Sequence, residues 1–331
     1  IAQPDQSPPH GLIAAGDTAL AAYYTSSVVK ESADKGVTRR TYWILDQKTG
    51  TYRKDTRWSF VNVTPGMRTA AVLERSLPAK RIGLLDLLTG KVEGWIPVDR
   101  GVASVAFSPD GGRLVATTYA TNPDLVFREH QDADGNGNGN GNGNGNGKNN
   151  DWFPKWDQAK RTGFYILDMA SGKGSWCPAP LESKVPIPFT RVDFDFSTDG
   201  TLVHSWRWKA PGNQFFDLKG NKVATPATAR HLSYGVEAGL SPNGELAADG
   251  TTILDPHTGK QLQKTPGERL TAWADNKRLI AWDNTPYSNE FHNHLVLVTI
   301  GNDKMLPLSG FLPDSRSDVA PGRWTPLFAE R

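Results

Sequence analysis

Short runs of alternating apolar and polar residues, each closed by a turn, recur along the whole chain. No stretch of three turns places apolar side chains at i, i+3, i+4 and i+7, so the periodicity predicts strands and an all-β fold. One pattern ends an apolar strand on Asp, followed three or four residues later by Gly. Its copies are Asp46 to Gly50, Asp86 to Gly90, Asp168 to Gly172, Asp217 to Gly220 and Asp255 to Gly259, with a degraded copy at Thr299 to Gly301. The anchors stand at 46, 86, 168, 217, 255 and 299, giving gaps of 40, 82, 49, 38 and 44 residues. A second pattern alternates with the first: a strand, a tight turn and another strand. Its clearest copy runs from Val105 through Ser108-Pro-Asp-Gly111 to Tyr119, with relatives at Phe194 to Gly200, Ala238 to Gly244 and Val61 to Gly66. Weaker ones lie at Thr271 to Asn276 and Ile13 to Thr18. Ser-Pro-Asp-Gly is a turn for a physical reason: Pro presets φ, and Asp, Asn or Gly accepts the positive φ that follows.

Two hairpins in roughly 44 residues make a four-stranded unit, and six such units in tandem predict a β-propeller. On these repeats, over about residues 10–310, the sequence resembles the WD40-like bacterial propellers of the degenerate type. The Gly-His and Trp-Asp signatures of true WD40 repeats are missing, so that family's internal hydrogen-bonding tetrad is not carried over. Six blades are expected, with Arg323 to Phe328 adding a closing strand against the first blade; seven is the alternative, with residues 311–331 supplying the extra strands. Residues 1–10, rich in Pro and Gln, read as a linker and 11–331 as a single domain.

The 82-residue gap holds an insertion at about 121–161. A twelve-residue Gly-Asn alternation, 135–146, has no apolar side chains to bury and reads as a disordered spacer. Trp152, Phe153 and Trp156 follow it as a docking patch. Asp132, Asp134, Asn136 and Gly137 match the first half of a calcium loop, but position 12 is Gly143 rather than Glu, so the reading is no cofactor, with calcium the weaker option.

In such a ring, one face carries the tight turns. The other carries the long loops, here 25–40, 121–161 and 284–293, and the connections 175–190 and 224–233. Long loops cost little closure entropy and concentrate binding residues, so this face is the expected site for a protein or small-molecule ligand. Taking the first strand of each unit as innermost, period-two counting places His10 and Glu268 at the channel mouth with Arg191. Asp193 and Glu237 come next as neighbours, and Asn62 and Asp195 lie lower. Paired acids repel, so a cation or an arginine is expected between them. This supports two accounts: a structural ion cluster around a wet channel, or the hard-oxygen ligands of a metal-dependent hydrolase or lactonase.

Composition narrows the rest. Lys+Arg of 37 against Asp+Glu of 35, net +2, leaves no basic nucleic-acid footprint. No apolar run approaches the ~18 residues of a membrane span. Cys177 is the single cysteine, which excludes an internal disulfide. His292 and His294 share one strand face as half of a zinc set, or as a solvated pair. Trp206 and Trp208 flank Arg207 as core packing, or as a stacking surface for sugar or peptide. No nucleophile elbow, P-loop or dinucleotide motif occurs. The reading is a monomeric, non-catalytic binding platform. The opening at Ile1 adds the expectation of an extracytoplasmic domain of a larger, exported or anchored bacterial protein.

Overall fold

The computed structural model describes residues 1–128, 152–155, 160–181, 191–206, 213–233 and 236–331. The Gly-Asn tract, the half calcium loop, Trp156, Arg207 and Trp208 lie outside these residues. The fold is all-β. Among the described residues there is no α-helix, and no helix is long and apolar enough to cross a membrane.

The strands form five antiparallel sheets. In chain order they are β1 (Ala14–Ala15), β2 (Thr18–Lys30), β3 (Lys35–Asp46), β4 (Thr51–Asp55), β5 (Trp58–Val63), β6 (Thr69–Glu74), β7 (Ala79–Asp86), β8 (Lys91–Phe107) and β9 (Arg113–Tyr119). The insertion carries β10 (Leu125–Arg128) and β11 (Trp152–Phe153), and β12 (Arg161–Asp168) and β13 (Gly174–Pro178) follow it. Then come β14 (Phe194–Phe196), β15 (Leu202–Trp206), β16 (Asn213–Asp217), β17 (Lys222–Val223), β18 (Gly239–Leu240), β19 (Ala247–Asp249), β20 (Thr252–Leu254) and β21 (Gln261–Lys264). The last are β22 (Arg269–Trp273), β23 (Arg278–Asp283), β24 (His294–Thr299), β25 (Met305–Pro307) and β26 (Thr325–Glu330). Three sheets are four-stranded meanders: β14–β17, β18–β21 and β22–β25. A seven-stranded sheet holds two meanders that share β8, whose first half pairs β7 and whose second half pairs β9.

The remaining sheet departs from the reading of the repeats. β1 pairs β2 on the edge that β3 occupies further along, and Leu12 N donates to Gly50 O ahead of β4. The other edge of β2 is taken by β26, from Thr18–Glu330 to Tyr24–Thr325. The strand expected at Arg323 to Phe328 is present as β26, and it takes the edge of β2 that the pattern assigned to Ile13 to Thr18 rather than adding to it. Residues 25–40 are not a loop either: β2 and β3 continue through them as one long hairpin, paired from Ala22–Ile44 to Lys30–Gly36, and β10 adds to its far end. Residues 1–10 lie along the last meander, with Gln3 N donating to Leu308 O and Gly310 N to Gln6 O.

The recurring Asp and Ser are turn residues. Asp46, Asp86, Asp217 and Asp255 accept the backbone N–H two positions on, at 2.8–3.0 Å, and Asp168 accepts that of Ser171 at 2.8 Å. The hydroxyls of Ser108, Ser197 and Ser241 accept the N–H five residues on at 2.9–3.1 Å, closing the Ser-Pro-Asp-Gly hairpin and its two relatives. Both are local side-chain substitutes for a backbone bond.

Neighbouring meanders pack face to face through apolar layers. Tyr42 and Ile44 meet Trp58 and Val72; Leu73 and Ile82 meet Val105 and Phe107; Phe164 meets Phe194 and Phe216. Ile253 meets Leu279 and Val296. The first and last meanders close on each other in the same way, Leu20 and Tyr23 against Trp282, Leu295 and Trp324. Burying one such side chain contributes about 1.5–3 kcal/mol. Gly16 marks the closest approach there: at φ 56 a Cβ would stand 2.3 Å from Ala274 O.

Candidate functional site

Contacts link the β2–β3 hairpin to the start of β5, to Asp124 at the root of the insertion and through it to Arg191 ahead of β14; Tyr24 and Ser26 of the same hairpin share a cleft with the starts of β22 and β26, loop 284–293 and segment 311–324. Two assemblies form there.

The first is a buried ion network. Asp124, 8% exposed, stands at the root of the insertion. It takes Arg40 in a two-pronged contact (Nη1–Oδ2 2.8 Å, Nη2–Oδ1 3.1 Å) and Arg191 in another (Nε–Oδ1 3.0 Å, Nη2–Oδ2 2.8 Å). Arg191 Nη1 also reaches Ala103 O at 2.7 Å and Asp193 Oδ2 at 3.1 Å. The Tyr119 hydroxyl donates to Asp193 Oδ1 at 2.7 Å and accepts Val192 N–H at 2.9 Å. The two guanidinium groups flank the Phe60 ring, at 5.9 and 5.2 Å from its centroid. Burial alone would raise the Asp124 carboxyl, but Arg191 and Arg40 hold it well below the usual carboxylate range. Burial and then Asp193 push the Tyr119 phenol well up. Arg191 and Asp193 are thus brought together as expected. Glu237 is not part of this network: its partners are the Thr271 hydroxyl and Arg269. Arg40, Asp124 and Tyr119 were missed: they sit on an extended hairpin, in an apparent loop and at a strand end, and no periodicity links them.

The second assembly is a cleft of about 470 Å³ lined from β2, the approach to β18, β22 and β23, loop 284–293 and the C-terminal strand. Glu237, Arg269, Thr271, Glu290, Asn293 and Arg323 supply its polar lining. Glu237 accepts from the Thr271 hydroxyl and pairs with Arg269 at 3.5 Å. Arg323 Nη1 is held by two carbonyls, Phe291 O at 2.8 Å and Pro313 O at 3.0 Å. A second cleft of about 500 Å³ adjoins it, shares Glu290 and Phe291, and holds Glu268, Asp314 and Arg316. Glu268 accepts from the Asn284 amide, and burial, then Asp283 and Glu290, raise its carboxyl.

The other expected residues are dispersed. His10 joins neither assembly: it lies beside β4, its N–H on Gln6 Oε1 at 2.7 Å and its carbonyl accepting Tyr52 N–H at 3.2 Å. Asn62 Oδ1 accepts Phe107 N–H at 3.0 Å, tying two inner strands. Asp195 faces His204 across β14–β15. It is solvent-accessible though crowded by protein, and this crowding raises its carboxyl and lowers the imidazole. Trp152 and Phe153 form β11 on the insertion ribbon, with Arg128 4.9 Å from the Trp152 ring centroid. His292 and His294 stack on Phe311, at 5.0 and 4.0 Å, rather than opening toward a metal. Among the described residues no three His, Cys, Asp or Glu side chains converge as a metal set.

No family model matches the chain. No curated protein matches its sequence. Solved structures similar to it include the hydrazine synthase of Kuenenia stuttgartiensis, at 13% identity and TM-score 0.39, over 76% of this chain and 66% of that one. TolB from Acinetobacter baumannii is similar at 15% identity and TM-score 0.39, over 87% of this chain and 66% of that one.

Proposed function

We propose that the chain is a six-bladed β-propeller serving as a binding platform, with its ligand site at the loop-bearing mouth of the channel. The blade reading rests on strand order. β26–β2–β3–β4, β5–β8, β8–β9–β12–β13 and the three separate meanders make six four-stranded units, and the last packs on the first. A variant lacking residues 325–331 tests the closure. It loses the pairing of β26 along β2, at about 1 kcal/mol per net hydrogen bond. At the melting entropy of a 331-residue chain, about 0.7 kcal/mol/K, the midpoint should fall by about 10 °C. A fall within ~2 °C would refute the ring.

The cleft at Glu237, Arg269, Glu290, Asn293 and Arg323 carries the binding reading. Three blades and the closing strand converge on it, and its volume lies in the range of ligand sites. A thermal-shift screen of short peptides and small polar compounds on the full chain, in parallel with Thr271→Trp, tests it. A ligand at 100 times its Kd stabilises by about 2.7 kcal/mol, near 4 °C here. Hits should vanish in the cleft-filling variant; hits that all persist would overturn the site. Turnover of a lactone or glycoside abolished by Asp193→Asn at unchanged melting temperature would replace the platform reading with a hydrolase.

A further inference from the structure

Among the described residues, Asn243-Gly244 is the single Asn-Gly pair. It lies in the hairpin turn between β18 and β19, and Asn243 is exposed to water. Glycine has no Cβ to shield its peptide nitrogen, so an asparagine amide is attacked most readily by the nitrogen of a following glycine. The approach is open here: a Cβ built on Gly244 would meet nothing within 4 Å. The turn also arranges the groups that this attack uses. Asn243 Oδ1 accepts the Ser241 hydroxyl at 2.7 Å and Glu245 N–H at 3.2 Å. The second bond closes a ring across the Asn243–Gly244 peptide, which folds the amide toward the Gly244 nitrogen. Two donors on the amide oxygen stand where negative charge develops once the carbon is attacked. Asn243 Nδ2 donates to Glu245 Oε2 at 2.8 Å, so a carboxylate stands beside the group that leaves. Gly244 N–H donates to Ser241 O at 2.8 Å, and this bond has to open before the nitrogen can attack.

An independent observation comes from the two sister turns, which carry aspartate where this one has Asn243. Asp110 Oδ1 accepts the Ser108 hydroxyl at 2.5 Å and Gly112 N–H at 2.9 Å. Asp199 Oδ1 accepts the Ser197 hydroxyl at 2.7 Å and Thr201 N–H at 3.0 Å. Both pairs of bonds match those of Asn243 Oδ1 position for position. The Ser108 hydroxyl and then Gly112 N–H hold the Asp110 carboxyl below its usual range, so this place in the turn favours an anion.

We propose that Asn243 is a site of spontaneous conversion to aspartate within the folded chain. The Gly244 nitrogen gives up its proton and bonds to Asn243 Cγ; the Cγ–Nδ2 bond breaks, and the side-chain nitrogen leaves with one added proton as ammonia. Water then opens the five-membered imide. Cleavage at Cγ gives aspartate, and cleavage at the backbone carbonyl gives isoaspartate, with an extra methylene in the main chain. The aspartate form keeps the oxygen contacts of the turn and the bond from Asn243 N–H to Asn276 Oδ1 at 2.9 Å, which ties this turn to the last meander. The isoaspartate form displaces both. The fold therefore selects aspartate, and the turn gains one negative charge beside Glu245.

The test is incubation of the full chain at pH 8, native and in denaturing urea, followed by mass spectrometry of the peptide that holds Asn243 with aspartate and isoaspartate resolved. Native Asn243 should convert severalfold more slowly than in urea, because Gly244 N–H must first be freed, and with a larger share of aspartate. Asn221, exposed in a turn but followed by Lys222, should stay an amide over the same period. Asn243→Asp, which carries the product from the start, should melt within ~2 °C of the parent, as exposed substitutions do. The inference falls if native Asn243 is intact when the urea-treated chain has converted, or if Asn221 converts as fast. A native product as rich in isoaspartate as the denatured one, or a larger loss of melting temperature in Asn243→Asp, would show that the turn does not accept the acid and would overturn it equally.

Discussion

Asp124→Asn probes the ion network most directly, because two arginines far apart in the sequence converge on that one carboxylate. The substitution keeps the shape and removes the charge, leaving Arg40 and Arg191 buried with Asp193 as the sole remaining carboxylate of the network. Removing one partner of a buried pair costs about 3–5 kcal/mol, most of it from the uncompensated cation left behind. The melting entropy of 331 residues is about 0.7 kcal/mol/K, so the midpoint should drop by about 4–7 °C. Circular dichroism or calorimetry at pH 7 reads this directly, with Asp199→Asn, in an exposed turn, as the control. The pH dependence follows from the sign of the shift. The folded Asp124 carboxyl is depressed below its unfolded value, so its contribution is fully present above about pH 4 and is lost as pH falls toward the folded value. Parent and variant should therefore differ by a constant gap at pH 5–8, and the gap should narrow below pH 4. A drop under ~1 °C at pH 7, or a gap that widens in acid, would refute this account.

Gly220→Ala should destabilise by more than the ~1 kcal/mol of an ordinary strained turn, because at φ 84 the new Cβ would stand 1.9 Å from Cys177 Sγ; adding Cys177→Ala should recover part of the loss in a denaturant titration. Deleting residues 132–150 should change stability by less than about 2 kcal/mol, since closure entropy varies only as the logarithm of loop length; a larger loss in the same assay would show that the tract packs on the sheets. Tyr119→Phe strips the acceptor from Val192 N–H and the donor from Asp193, and should cost about 1–3 kcal/mol by chemical denaturation.

The all-β character, the meander of hairpins and the turn positions were legible in the chain because each rests on local physics. Alternation sets which face of a strand is buried, and Asp or Ser beside a positive-φ Gly closes a turn without help from distant residues. The same local character explains the placement of Asp193 beside Arg191, two positions apart in the segment just ahead of β14. What the tertiary structure alone decided concerns residues far apart in sequence. The Ile13 to Thr18 repeat has the right pattern for an inner strand, yet β26 takes that place, because locally the two compete on equal terms and only closure of the sheet selects between them. That choice leaves His10 beside β4 and brings Arg323 to the cleft that holds Glu237. Arg40, Asp124 and Arg191 lie 84 and 67 residues apart along the chain, and no spacing rule joins them. Their meeting, like that of Glu237 with Arg269 and of Asn293 with the C-terminal segment, is set by packing between sheets.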